Sequence, residues 1–378
     1  MSILKWVKRN TDRFFFALLR RILRSRLSDD TGPVLLVRTD GIGDLVFFLQ
    51  YVKSLRSAFS NRQVVLVSRP DPARLAEAVG MFDRVIPYGY KQYRWNYAYR
   101  LAILSKIRRL RPSTVLYLSY HREHIGDEMT LLSGASITLA FSGNDEVIQP
   151  IVRLRNNRMY HHIIDVPDHV HESERYHAVL AFLGGKSADL PRRESAILTA
   201  ALRKIAHEPP KPFLPFEEDF CVIGAGGSAP LRRWPAERFA VVADSIASKT
   251  GCRIVLCGGR AERRLLGEIR EAMKRPATVI DDQSILIAAK VISRARLFIG
   301  NESGLLHIAA SLGVPTVGIL GGGHFSRYFP YGSALIVNHR LSCYECNWHC
   351  PFPEPYCLTE ISVEQVMGIV NVALSEKP

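Results

Sequence analysis

Short apolar runs alternate with amphipathic stretches along most of the chain. The runs are continuous and rich in valine, leucine and isoleucine, which is typical of parallel strands that are buried on both faces. They predict strands at 33–37, 64–67, 84–87, 115–118, 220–223, 253–257, 278–280, 296–299 and 314–320. Stretches with apolar residues at helical spacing lie between them. The pattern therefore predicts two doubly wound α/β domains that face one central cleft.

One βαβ unit, at 296–323, carries more polar chemistry than the others. Its first strand ends in a glycine-containing turn at 300–304, and the helix that follows is predicted to end at Gly313, a suitable C-cap. The polar side chains in or just after the turn are those of Glu302, Ser303 and His307. Backbone N–H groups and the positive end of a helix dipole suit a phosphate or diphosphate there. The alternative is a turn that only connects strand to helix, with His307 as a capping or core residue.

A second strand, turn and helix occupy residues 33–55. The turn contains Gly41 and Gly43 and leads to Asp44 at the N-terminus of the predicted helix. Position 46 is valine, so the third glycine of the dinucleotide-binding pattern GxGxxG is missing. Asp44 therefore either caps the helix or contributes a carboxylate to a site at the carboxyl end of the strand.

Positive charge is concentrated at the N-terminus of this chain of 378 residues, which has a formal net charge of +14. Residues 1–28 hold eight basic residues and one acidic residue, Asp12, so a charge of +7 lies there. Apolar side chains alternate with these arginines, which is typical of an amphipathic helix on an anionic membrane surface. The arginines interrupt the apolar run too often for a bilayer-spanning helix or a signal peptide. The alternative is a helix that packs on the protein itself, and we expect no nucleic-acid partner because no such motif accompanies the charge.

The seven cysteines are expected to be reduced, because no export signal is recognised and a cytoplasmic location is the default. Cys221, Cys252 and Cys257 lie in or beside apolar runs and are predicted to be buried. The other four form the pattern C-x2-C-x3-C-x6-C and are Cys343, Cys346, Cys350 and Cys357. Four cysteines this close could hold a structural zinc ion or an iron–sulfur cluster, although a second complete CxxC is missing. The alternative is a loop of reduced thiols.

Three further stretches bear on the domain organisation. His121 and Arg122 follow the strand at 115–118, where they either reach a ligand or lie in solvent. The aromatic and basic segment 88–100 either grips a sugar or an anionic acceptor, or covers the edge of the sheet. The proline-dense stretch 209–219 is predicted to be a linker. We therefore expect a basic amphipathic segment at 1–30, an N-terminal domain at 31–208 and a C-terminal domain at 220–378, with the cysteine-rich loop 343–357 and a terminal helix.

Four segments, in the expected order, resemble glycosyltransferase family 9, the heptosyltransferase-like enzymes of lipopolysaccharide core assembly. They are VRTDGIGDLV, IGAGGSAPLRRWPAERFA, IVLCGGRAE and LFIGNESGLLHIAASLGVPTVGIL. The resemblance implies a GT-B fold of two Rossmann-like domains, the first binding the acceptor and the second a nucleotide-diphosphate sugar. It implies inverting transfer of heptose or a related sugar from ADP-heptose to a lipopolysaccharide or other lipid-linked saccharide. The enzyme would be cytoplasmic and peripheral at the inner face of the inner membrane.

The resemblance also implies roles for single residues. Asp44 would be the general base that takes the proton from the acceptor hydroxyl. Acceptor contacts are expected from Gly41, Gly43, His121 and Arg122. Donor contacts are expected from Ser228, Arg232, Glu262, Glu302, Ser303, Gly304 and His307, with Glu262 at the ribose. No Asp-x-Asp motif occurs in the chain, so we expect catalysis without a divalent metal or another cofactor.

The chain departs from the family pattern at three places. Glu302 stands where the family usually has aspartate, and Arg232 where it usually has lysine, which exchanges a point charge for a planar fork. Residues 321–324 read Gly-Gly-Gly-His instead of the usual Gly-Pro-Thr. Two other functions stay open on the sequence: a GT-B epimerase or hydrolase of nucleotide sugars, and a membrane-associated binding protein without catalytic activity.

Overall fold

The computed structural model describes residues 3–23, 31–59, 61–184, 218–323, 325–329 and 334–375. The chain forms two compact units. The first is drawn from Met1–Gly41, Lys53–Asp168 and Ala178–Lys186, and the second from Ile42–Val52, His169–His177 and Ser187–Pro378. The predicted domain limits stay a prediction, because most of the expected linker 209–219 lies outside the described residues, as do Arg24, Arg26 and His324.

The elements follow one another as strand and helix through both units. The strands are β1 (Val34–Val37), β2 (Val64–Ser68), β3 (Arg84–Pro87), β4 (Thr114–Tyr117), β5 (Ile137–Phe141), β6 (His162–Ile164), β7 (Phe220–Gly224), β8 (Arg253–Cys257), β9 (Ala277–Ile280), β10 (Leu297–Asn301), β11 (Thr316–Leu320) and β12 (Leu335–Asn338). The helices are α1 (Ile3–Ile22), α2 (Ile42–Leu49), α3 (Val52–Ala58), α4 (Pro70–Val79), α5 (Tyr90–Trp95), α6 (Tyr97–Arg109), α7 (His124–Leu131), α8 (Pro150–Asn157), α9 (Glu172–Phe182), α10 (Ala236–Thr250), α11 (Arg263–Ala272), α12 (Ile285–Ser293), α13 (Gly304–Leu312), α14 (Phe325–Tyr328), α15 (Tyr356–Thr359) and α16 (Val363–Ser375).

Each unit contains one parallel sheet of six strands. The strand orders are β3-β2-β1-β4-β5-β6 and β12-β11-β10-β7-β8-β9. In each sheet the chain starts at a central strand and changes direction once, between β1 and β4 in the first and between β7 and β10 in the second. Sheets of this order place their ligands outside the carboxyl ends of the strands at that switch point. The predicted pair of doubly wound folds is therefore confirmed.

The boundaries of one helix in the first half of the chain differ from those predicted from the sequence. The helix expected at 45–55 is two helices, because Tyr51 donates its N–H to Phe48 over a tighter turn at 2.9 Å and both rings are buried. Pro235 is the N-cap of α10. Gly313 is the C-cap of α13 with φ of 74°, as the sequence predicts.

Helix α1 packs on the first unit through one face. The apolar residues of this contact are Phe15, Phe16 and Leu19 of the helix, Leu23 directly after it, and Leu104 and Leu132 beneath it. On the same face Asp12 accepts from Lys8 and from Arg100, each at 2.5 Å. The alternative of a helix that packs on the protein itself therefore holds for this face of α1.

The aromatic segment 88–100 also packs inward. Tyr88 and Tyr93 are fully buried in the core of the first unit, among the side chains of its sheet. The structure thus favours the alternative in which this segment covers the sheet. Among the described helices, none is both long and apolar enough to cross a membrane.

Candidate functional site

At the switch point of the second sheet, one buried side chain links the loop after β7 to the end of β10. Asn301, at the end of β10, donates its amide to the carbonyl of Ala225 at 2.7 Å and accepts from the N–H of Trp234 at 3.0 Å. It therefore ties the loop that carries Ser228 and Arg232 to the start of α13. Asn301 is not among the predicted site residues, although its position as a polar residue at the end of an apolar strand was a signal in the sequence.

Two polar atoms at the N-terminus of α13 have no hydrogen-bond partner in the part of the chain that the structure describes. Ser303 is the N-cap, but its hydroxyl makes no capping hydrogen bond. Ser303 Oγ and Glu302 Oε2 are buried and accept or donate no hydrogen bond among the described residues. Buried polar groups in proteins normally have partners, and a helix N-terminus attracts anions. This end of α13 is therefore shaped for a polar ligand.

The charge of Glu302 depends on its surroundings. Burial raises the pKa of Glu302 to about 7, although the nearby guanidinium groups of Arg232 and Arg327 oppose the shift. The negative charges of Asp44 and Glu345 act in the same direction as burial. Near neutral pH the protonated carboxyl can donate a hydrogen bond to an anionic ligand, which a deprotonated one cannot.

We expect Glu302→Gln to stabilise the protein above pH 7 and to leave stability unchanged at pH 4. The pKa in the folded state lies above the ordinary value of 4.5, so ionisation opposes folding increasingly as the pH rises from about 4.5 to about 7. Glutamine is neutral at every pH and removes that cost. Thermal melts of wild type and variant between pH 4 and pH 8 measure it, with exposed Glu271→Gln as the control. An equal or lower melting temperature of Glu302→Gln at pH 8 contradicts the expectation.

Helix α2 packs directly on α13 within the second unit. Two glycines make the approach close. A β-carbon at Gly43 would lie 2.8 Å from Cδ2 of His307, and one at Gly304 would lie 2.9 Å from Cβ of Ile42. These glycines therefore have a packing role, and their effect is to bring Asp44, in the first turn of α2, beside the N-terminal half of α13.

Asp44 is held by two residues from α14 that the sequence analysis missed. The hydroxyl of Tyr328 donates to Asp44 Oδ1, and Arg327 Nη2 donates to the same oxygen at 3.3 Å. Arg327 Nε donates in addition to the carboxylate of Glu172, at 3.0 Å. The only signal in the sequence was a basic and an aromatic residue soon after a strand and its glycine turn.

Glu172 is the buried centre of this network. It accepts from Arg175 at 2.8 Å and from the hydroxyl of Tyr176 at 3.1 Å, besides Arg327. Burial alone would raise the pKa of Glu172, but the charges of Arg327 and Arg175 outweigh it and hold the pKa at about 2. Glu172 is therefore ionised at neutral pH and fixes the guanidinium that reaches Asp44.

His307 faces the same cluster from α13. Its ring stacks on Phe329 with centroids 5.8 Å apart and meets the edge of Tyr328 at 5.4 Å. Burial lowers the pKa of His307 to about 4, with the charge of Asp44 opposing in part. The imidazole is therefore neutral at pH 7 and adds no positive charge to the site.

The remaining predicted donor residues lie at the carboxyl ends of neighbouring strands in the second unit. Glu262 follows β8 and accepts from the N–H of Gly259 at 2.6 Å. Its other carboxylate oxygen lies so close to the loop after β7 that a β-carbon at Gly226 would be 2.9 Å away. Ser228, in that loop, is exposed. Because strands β8, β7 and β10 are adjacent, these side chains and the start of α13 share one edge of the sheet.

The cysteine-rich loop accounts for two of the three departures from the family pattern. The Arg232 guanidinium lies over the Trp348 ring, 4.8 Å from its centroid, a contact that suits arginine. Trp348 also covers the glycine turn after β11, where a β-carbon at Gly323 would come within 2.4 Å of the indole. Glu345 and Asn347 donate their N–H groups to the carbonyls of this turn, at 2.7 and 3.0 Å. Larger residues in the turn would displace the loop.

The four cysteines of this loop are half-buried free thiols. Burial raises the pKa of Cys346 and of Cys357, and the neighbouring thiols Cys343 and Cys350 add to both shifts. Among the described residues no group of three or more metal-ligating side chains has an arrangement that could hold a metal ion. Metal binding by these cysteines and a loop of reduced thiols therefore both stay predictions.

The residues predicted to bind the acceptor through side chains belong to the first unit. Arg122 is fully buried and donates to Asp127 at 2.7 Å and to the carbonyl of Phe141 at 3.0 Å. Because this guanidinium is buried and bonded within the first unit, the predicted acceptor contact of Arg122 was wrong. His121 is partly exposed and lies 3.0 Å from Glu146. The acceptor roles of His121 and of Gly41 stay predictions.

Comparison with known proteins gives the family. The model of glycosyltransferase family 9 (heptosyltransferase) matches residues 153–351. Lipooligosaccharide heptosyltransferase 2 of Campylobacter jejuni is 30% identical over 148 residues, 37% of this chain and 46% of that protein. The chain thus matches about half the length of that relative. Lipopolysaccharide heptosyltransferase 1 of Pseudomonas aeruginosa is 25% identical over 297 residues, 76% of this chain and 78% of that protein.

Among solved structures, E. coli heptosyltransferase WaaC with ADP superimposes with a TM-score of 0.68. The superposition covers 90% of this chain and 99% of that structure, at 18% sequence identity, and it shows the fold alone. The family match spans more than half of the chain and includes the start of α13 with its Glu302 and Ser303. This chain belongs to glycosyltransferase family 9.

Proposed function

We propose that the chain is an inverting glycosyltransferase that transfers heptose or a related sugar from a nucleoside-diphosphate donor, ADP-heptose in the first place, to a lipopolysaccharide or other glycolipid acceptor. We place it in the cytoplasm, peripheral at the inner face of the inner membrane. The observation that carries the proposal is a pair of buried atoms, Glu302 Oε2 and Ser303 Oγ, which have no partner within the described part of the chain and lie at the N-terminus of a helix that packs beside Asp44.

The donor diphosphate would bind at the start of α13. Negative charge develops on the nucleoside diphosphate as it leaves, and fixed donors aimed at that charge lower the barrier. Ser303, the backbone N–H groups of the first turn of α13 and the Arg232 guanidinium are such donors. Glu262 would hold the ribose hydroxyls. The WaaC structure contains ADP and the relatives are named heptosyltransferases, which supports an adenine nucleotide and a heptose here.

Asp44 would act as the general base. Tyr328 and Arg327 donate to its carboxylate, which favours the ionised form that can take a proton. The acceptor oxygen, as it loses its proton to Asp44, would attack the anomeric carbon while the diphosphate leaves from the opposite face. The C–O bond to the diphosphate breaks as the new glycosidic bond forms, and the configuration inverts.

The proposal is tested with the purified chain, ADP-heptose and a truncated lipopolysaccharide acceptor. We expect one ADP released for each sugar transferred, an inverted linkage, and undiminished rates in excess chelator, because Arg232 and α13 supply the positive charge. If excess chelator abolishes transfer, the proposed independence from metal is wrong. Free sugar or an epimer from donor alone would make the chain a hydrolase or an epimerase. Donor binding without any turnover would make it a binding protein, and metal analysis of the same sample tests the cysteine loop.

A further inference from the structure

Helix α1 has a second apolar face, which the first unit does not cover. Phe14, Leu18 and Ile22 follow one another at four-residue spacing, and Phe14 and Ile22 are exposed to 70% and 65%. Residues at this spacing lie along one side of a helix. The opposite side already packs on Leu104 and Leu132. The outward stripe is therefore not required for the attachment of α1.

Helix α8 carries a matching face. Ile151 and Leu154 are exposed to 73% and 53%, and Val147, in the turn before the helix, is exposed to 56%. The residues that share this side at helical spacing are Ile151, Leu154, Arg155 and the C-cap Arg158. Val152 and Asn156, on the other side, are buried. Of the thirteen exposed large apolar side chains in the described part of the chain, six lie on α1, on α8 or in this turn.

The two helices are neighbours within the first unit. Arg13 of α1 donates to Gln149, the N-cap of α8, at 3.3 Å. A cavity of about 160 Å³ has Arg13 and Phe16 on one side and Val147 and Arg155 on the other. We call the exposed residues of both helices, with Val147, the α1–α8 face.

The α1–α8 face is basic. Its exposed arginines are Arg20, Arg21, Arg155 and Arg158. Desolvation lowers the pKa of Arg155, the positive charges of Arg13 and Arg20 lower it further, and the charge of Asp127 opposes the shift. These guanidinium groups therefore lie close enough to repel one another, and an anionic partner would relieve the repulsion. Asp145, the nearby exposed acid, is already paired with Arg153 at 2.8 Å.

We propose that the α1–α8 face is one docking surface for an anionic lipid bilayer, to which α8 contributes as much as α1. The apolar side chains enter the interface, and the arginines extend to the lipid phosphates. A second copy of the chain suits this face less, because a symmetric contact would set the same arginines against each other. The inference rests on the peripheral location in the proposed function for the choice of membrane, and not on the transfer reaction.

The test measures sedimentation of the full chain with phosphatidylcholine vesicles, with and without phosphatidylglycerol. We expect binding only to the anionic vesicles, weakened by salt. Ile151→Gln/Leu154→Gln should lower the partition coefficient about tenfold or more, because both side chains leave the interface, and Phe14→Gln/Leu18→Gln should do the same. The control is Val241→Gln/Val372→Gln, two valines exposed to 50% and 44% on α10 and α16 of the second unit, which should bind as wild type does.

Three results overturn the proposal. The first is no binding to anionic vesicles. The second is a partition coefficient of Ile151→Gln/Leu154→Gln equal to that of wild type, which would mean that α1 contacts the membrane without α8. The third is a dimer in light scattering that this variant dissociates, which makes the occupant a second copy. Thermal shift with ADP checks that each variant is folded. Sugar transfer to a soluble acceptor should be the same in wild type and in every variant. If wild type binds vesicles but transfers no sugar, the result contradicts the proposed reaction and not the docking surface.

Discussion

Asp44→Asn is expected to lower kcat by about a thousandfold, which is the size of effect that removal of a general base produces. Asparagine has nearly the shape of aspartate, and its carbonyl oxygen can still accept from Tyr328 and Arg327, which now hold Asp44. The variant should therefore fold, but it cannot take the proton from an acceptor hydroxyl. Initial rates of ADP release with saturating donor and acceptor measure the loss.

The donor should bind to Asp44→Asn at least as tightly as to wild type, because a negative charge near the diphosphate has been removed. Titration calorimetry with ADP measures this. Asp71→Asn is the matched control, since Asp71 also lies in the first turn of a helix, α4, but is exposed and has only a loose surface contact, 3.9 Å from Arg74. A loss of rate below about tenfold would assign Asp44 to helix capping and the base to another group.

Glu172→Gln is expected to lower the free energy of unfolding at pH 7 by about 3 kcal/mol, from a pKa near 2 in the folded state against 4.5 in the unfolded one. The charge of the buried Glu172 neutralises the buried Arg175 and the partly buried Arg327. Glutamine keeps the shape and loses the charge, which leaves both guanidinium groups poorly compensated. Urea unfolding at pH 7 measures the difference.

The pH dependence of this difference identifies its cause. The pKa of Glu172 is depressed by folding, so its contribution is present in full above about pH 4.5 and disappears as the pH falls toward 2. The gap between wild type and Glu172→Gln should therefore narrow over that range. Glu174→Gln, an exposed glutamate two residues away on α9, should match wild type throughout. A gap that stays constant down to pH 2 would mean that packing, and not charge, is lost.

Only part of the α1–α8 face could be predicted from the local sequence pattern. Interleaved arginines and apolar residues in 1–28 predicted an amphipathic helix, and that helix is found at Ile3–Ile22. The composition could not divide its apolar residues between an inward and an outward face, because both faces contain phenylalanine and leucine. The partner helix α8 carried no such signal, since Ile151 and Leu154 look like ordinary core residues until their exposure is known.

The sequence by itself determined nine of the twelve described strands, their alternation with helices and the position of the glycine turns, because periodicity and turn chemistry are local properties. It did not predict β5, β6 or β12. It also placed Asp44 and the Glu302–Ser303 pair at helix N-termini, where their chemistry follows from the backbone. Only the tertiary structure joined Asp44 to Arg327, 283 residues further along, and buried Arg122. Contacts between distant segments depend on which apolar surfaces pack together, and neither spacing nor residue type encodes that choice locally.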